Sequence, residues 1–156
     1  MGDPTEGALV TLAMKAGLDH AVLLEEFPRT DNIPFESEHR FMATLHHDHA
    51  GHGFIYLKGA PEKVLGMCHL QRMRGEDHPL DHTYWDQVMD DIARRGQRML
   101  AIAFRSAPDH GQNLNFTDVE NGLTLLGIVG IIDESDLLLA VSRSSERFAD
   151  PVRAAM

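Results

Sequence analysis

A chain of 156 residues, 43% hydrophobic and 24% charged, is long enough for one domain with a real core and too apolar to remain disordered. Its net charge of −10, with histidines neutral, excludes the basic footprint of a nucleic-acid binder and means that any anionic ligand needs local cations. The single cysteine, Cys68, excludes an internal disulfide, fits a reducing compartment, and reads as a small hydrophobe rather than a nucleophile.

In chain order, Asp3-Pro4-Thr5-Glu6 reads as a helix start, with Asp3 as cap, Pro4 at the first position and Glu6 three residues on. Ala8, Leu9, Leu12 and Ala13 form one apolar face, and Gly17 is a natural stop. A second short helix is expected over 19–26. Ile33-Pro34-Phe35 and the weakly alternating stretch 40–46 read as extended, with Phe35 on a strand edge. Gly51 and Gly53 bracket a turn, and 54–57 returns as a strand, making a hairpin. Pro61 opens a helix to about Met67. The polar stretch 69–79 reads as loop. Asp81 caps the clearest helix, with Trp85, Val88, Met89, Ile92 and Ala93 at helical spacing and Gly96 ending it. The stretch 98–104 reads as a strand, 106–122 as a polar loop, and 123–132 as a buried strand rich in isoleucine, valine and glycine. This order predicts an α+β fold, an antiparallel sheet flanked by helices. The 123–132 run is about half a membrane span, and Asp3 and Glu6 stand where a signal peptide would be basic, so the chain as given reads as soluble.

Several residues suit a nucleotide. A ring at Phe35 could stack on a base, or it could be ordinary core. Lys58, at a strand end, could reach phosphate or base, or stand solvated. Arg98 could bind phosphate oxygens or form a surface ion pair. Glu6 could accept from an adenine amino group, serve the helix cap, or do both.

Four motifs occur in order: Gly2-Asp3-Pro4-Thr5-Glu6, Pro34-Phe35-Glu36-Ser37, Lys58-Gly59-Ala60-Pro61-Glu62, and Gly96-Gln97-Arg98-Met99-Leu100-Ala101. As a set they resemble the nucleotide-binding (N) domain of cation-transporting P-type ATPases of the calcium and sodium/potassium kind, prokaryote-type. The resemblance covers residues 2–104, and the KGAPE box is its most specific part. It implies that Phe35 stacks on adenine, Glu6 lies on the adenine edge, and Lys58 and Gly59 line the pocket floor. It further implies that Arg40 is a basic residue near the nucleotide and Met42 a pocket wall. Arg98 would contact phosphate or ribose, and Leu100 would pack the base from the other side. Ser37 stands where some relatives have arginine, so its contact would be a weaker hydroxyl one.

The family's phosphorylated aspartate lies in a DKTGT motif, which does not occur in this chain, nor do the TGD and GDGxND motifs. The resemblance therefore implies no catalytic residue and no metal ligand here. It implies a domain that binds ATP without hydrolysing it, with Mg²⁺ arriving on the nucleotide and held mainly by a phosphorylation domain. Its partners would be ATP and the phosphorylation and actuator domains of a membrane-embedded pump, with no nucleic acid and no direct membrane contact. Its location would be the cytoplasmic side. The expected boundaries are 1–133 for the nucleotide domain, truncated at its N-terminal side, and 134–156 for a tail, helix or insertion.

Two other patterns stand out. His46-His47-Asp48-His49 with His52 could make a metal-binding or interaction module without nucleotide binding. Glu76-Asp77-His78-Pro79-Leu80 partly matches the SEHPL motif of heavy-metal pumps, whose histidine meets adenine.

Overall fold

The computed structural model describes residues 28–109 and 111–131, and the backbone of 137–140. The helices expected over 3–17 and 19–26 lie outside the described residues. Along the chain come β1 (Arg29–Ile33), β2 (Phe41–His47), β3 (Gly53–Gly59), α1 (Pro61–Met67), β4 (Cys68–Met73), β5 (Glu76–Pro79), α2 (His82–Arg94), β6 (Arg98–Ala107), a 3₁₀ turn (Phe116–Asp118), β7 (Leu123–Ile131) and β8 (Leu137–Ala140). The strands form one eight-stranded sheet in the order β1-β2-β3-β6-β7-β4-β5, with β8 also paired to β7.

The hairpin of β2 and β3 turns on Asp48, whose carboxylate accepts the backbone N–H groups of Ala50 and His52 at 2.9 Å each. Gly51 supplies the positive φ of 87° that this turn requires. Pro61 starts α1 at a position that needs no N–H donor. Asp81 caps α2 by accepting from the Tyr84 N–H at 3.1 Å. All nine residues of β7 are buried, as a central strand covered on both faces must be.

Three expectations change. The stretch 69–79 is not loop but the hairpin of β4 and β5. Arg74 (φ 54°) and Gly75 (φ 79°) form its two-residue turn with both φ values positive, the geometry that matches strand twist. Polar composition hid it, because β5 is an exposed edge strand. The first strand is Arg29–Ile33, so Phe35 lies beyond its end; Pro34 has no N–H with which to extend the ladder. The sheet is mixed, because β4 pairs parallel to β7 while every other pairing is antiparallel. The path through α1 explains this. Strand β3 is antiparallel to β6, and β6 to β7, so β3 and β7 run the same way. A helical crossover from β3 past two strands then delivers β4 in that same direction. The α+β class stands.

The register defines two faces. On one, Phe41, Ala43, Leu57, Ala101, Ala103, Leu125 and Ile128 join Val64 of α1 and Trp85 and Ile92 of α2 in the main core. Within it the Trp85 indole donates to Gln71 Oε1 at 2.9 Å, and the Asp81 N–H donates to the same oxygen at 2.7 Å. Cys68 is partly buried against this core, and burial pushes its thiol up to about 12, away from nucleophile chemistry. On the other face, Ile102, Leu126 and Val129 are buried beside Tyr56, Leu100 and Phe104.

Candidate nucleotide site

Strand pairing places the candidate residues. Met42 lies opposite Lys58, and Lys58 opposite Ile102. Side chains two apart on a strand share a face, so Leu100 and Arg98 lie on the face of Ile102, Lys58 and Met42. Four candidates spread over residues 42–100 thus face one way. They also share one end of the sheet. Phe41, Gly59, Ala101 and Ile128 form the cross-strand row there, and the 34–40 connection enters at that row. Met42, Lys58 and Leu100 are half-buried, and Arg98 is exposed at the start of β6.

Phe35 and Ser37 stand on the 34–40 connection. Phe35 is 59% exposed, which sets aside the reading of ordinary core. Phe116 is the other large hydrophobic residue that stands out this way among the described residues. It packs instead against His39 (ring centroids 4.6 Å) and Phe41 (6.2 Å). The connection is acidic. Glu36 and Glu38 flank Ser37, and Glu36 sits 3.4 Å from His39 Nε2. A polyphosphate here needs cations, and Arg40 stands beside these acids.

Arg40 is held in an unusual backbone state, with φ at 61°. Its N–H donates to the Glu36 carbonyl at 2.8 Å, and its carbonyl accepts the Ala60 N–H at 3.0 Å. A Cβ on Gly59 would run into that same Arg40 carbonyl oxygen and lie 2.7 Å from Cα and Cβ of Phe41. The glycine of the KGAPE box therefore lets β3 approach the Arg40-Phe41 backbone. Its α-carbon lies in the main-core row, and only its backbone adjoins Lys58. The Arg40 guanidinium lies 3.1 Å from the carboxylate of Glu62, in the first turn of α1. Sequence reading passed over Glu62, although it belongs to the KGAPE box. Glu6 lies outside the described residues.

The histidine-rich tip lies at the other end of β2 and β3. His46 and His47 point to opposite faces, as alternation requires. His46 Nε2 is 2.8 Å from the Thr44 hydroxyl, His47 Nδ1 is 2.7 Å from the Thr30 hydroxyl, and His52 Nδ1 is 2.9 Å from an Asp48 carboxylate oxygen. Each of these three rings thus has a partner of its own. That last contact raises the His52 pKa and lowers that of Asp48. Glu76-Asp77-His78-Pro79 is β5, at the sheet edge opposite β1, remote from the other candidates.

Comparison with known proteins identifies this architecture. The family model described as P-type ATPase, cytoplasmic domain N, matches residues 1–135. The chain belongs to this family. It is 41% identical over 134 residues to the cation-transporting ATPase pma1 of Synechocystis, covering 85% of this chain and 15% of that protein. It is 39% identical over 139 residues to the human calcium-transporting ATPase type 2C member 1, covering 85% of this chain and 14% of that one. A probable cation-transporting ATPase F of Mycobacterium tuberculosis is 33% identical over 134 residues, again 85% of this chain and 15% of the relative. The N domain spans about a seventh of the length of these relatives. Among the described residues, no helix is long and apolar enough to cross a membrane.

Proposed function

We propose that this N domain binds ATP at the sheet end defined by Phe35, Arg40, Met42, Lys58, Arg98 and Leu100, with Ser37 and Gly59 alongside. The observation that carries the reading is the gathering of Met42, Lys58, Leu100 and Arg98 on one face and at one end of the sheet, beside an exposed Phe35. A base would stack on Phe35, with Leu100 and Met42 as apolar walls and Lys58 at the floor. Arg98 and Arg40 would meet ribose or phosphates. Glu6 is the proposed acceptor at the adenine edge. Mg²⁺ would arrive with ATP.

In a cation-transporting pump the domain would hold ATP by its base and present the γ-phosphate to an aspartate on a phosphorylation domain, with an actuator domain completing the cycle. Its contribution is positioning rather than chemistry. One stacked ring and a few exposed polar contacts support roughly −4 to −7 kcal/mol, a millimolar to tens-of-micromolar affinity. Calorimetry with ATP and, separately, Zn²⁺ tests this. Weak saturable ATP binding without ATP turnover supports it. Stoichiometric Zn²⁺ binding without ATP binding would favour a histidine-based metal module.

A further inference from the structure

We propose that Glu62 is a positioning and selectivity residue of the nucleotide site. It holds the Arg40 guanidinium when the site is empty and competes with the nucleotide polyphosphate for it. The proposal rests on the nucleotide reading above and deepens it.

The geometry leaves Arg40 little freedom except in its side chain. Its N–H is bonded to Glu36, its carbonyl to Ala60, and its φ of 61° is fixed between them. Gly59 closes over the same carbonyl. A non-glycine residue in the left-handed region is uncommon and persists where its surroundings over-determine it. Here those surroundings aim one flexible cation from the turn that carries Phe35. Glu62 meets that cation 3.1 Å away, while both side chains stay at least half exposed (50% and 60%). An exposed pair of this kind is weak, so it can be exchanged for a more highly charged anion. The acids of the turn, Glu36 and Glu38, sharpen the effect, because each phosphate must meet Arg40 against their charge. A plain helix-start acid would favour α1 through the helix dipole, but would not change how ATP differs from adenosine.

The test measures dissociation constants for ATP and adenosine with the 156-residue chain carrying Glu62→Gln, Arg40→Gln, or both. The expected result is ATP binding about two- to five-fold tighter in Glu62→Gln, the scale of one surface ion pair. Adenosine affinity stays unchanged, and the gain vanishes in the double variant. Glu62→Asp, which keeps the charge, should behave like the parent. Unchanged ATP affinity in Glu62→Gln would overturn the proposal. So would an equal gain for adenosine, or a gain that survives Arg40→Gln. If adenosine binds normally and only these differences fail, the nucleotide site stands without the Glu62 role. If neither adenosine nor ATP binds the parent chain, the nucleotide reading falls and takes this proposal with it.

Discussion

Arg40 and Glu62 are joined twice, by the 3.1 Å contact of their side chains and by the Ala60 N–H that donates to the Arg40 carbonyl two residues before Glu62. The turn bearing Phe35 and the start of the KGAPE-box helix are therefore held side by side. The close approach of β3 to β2 that allows it depends on the absence of a side chain at Gly59.

Gly59→Ala should accordingly lower stability by about 1–3 kcal/mol, because its methyl group overlaps backbone that cannot swing aside. Gly66→Ala is the control. Nothing lies within 4 Å of a Cβ there, and the position is helical and exposed, so about 0.5–1 kcal/mol of stabilisation is expected. Urea unfolding of the two variants should shift the midpoint in opposite directions.

Phe35→Ala should weaken ATP binding about five- to a hundred-fold, the value of one base–aromatic stack. Its thermal midpoint should barely move, since the ring is 59% exposed and supports little of the core. Calorimetric titration beside a melting curve separates the two effects.

The strand alternation that puts Lys58 and Met42 on one face is readable in a sequence, and so are the Asp81 cap and the Pro61 start. That is why α1, α2, β2, β3, β6 and β7 were legible. What escaped depends on partners far away in the chain. Strands β4 and β5 carry Arg72 and Asp77, which pair at 2.9 Å across a half-exposed ladder, and such residues look like loop when read singly. The parallel pairing of Gln71 with Leu125 follows from a crossover path that local pattern does not encode. Among the candidate residues, Lys58 and Arg98 were singled out by their position at strand ends and by motif, and Leu100 by the motif resemblance alone. The Arg40–Glu62 contact was not legible, because it joins residues far apart in the chain through a positive φ at Arg40, which no composition reveals for an arginine.

Gln71→Leu should cost about 2–4 kcal/mol. It leaves the fully buried Trp85 indole N–H and the Asp81 N–H without their shared acceptor. A lower urea midpoint with unchanged slope is the expected reading.

The hairpin tip should show a defined pH signature. The Asp48 carboxylate beside His52, aided by Asp109, raises the His52 pKa above 6.5, and His52 lowers that of Asp48 below 3.8. A raised histidine pKa stabilises fully below 6.5, and that part is lost as pH rises through the folded value. A lowered aspartate pKa stabilises above 3.8, and that part is lost as pH falls through its folded value. The pair therefore contributes most between these two reference values. NMR titration should place the His52 midpoint above 6.5 and return it toward 6.5 in Asp48→Asn.

Backbone amide shifts followed during an ATP titration decide whether the nucleotide sits at this end of the sheet. Saturable changes should concentrate at Phe35, Arg40, Lys58, Arg98 and Leu100, with the His47–His52 tip silent. Saturating ATP that moves nothing near Phe35 and Lys58 would contradict that placement.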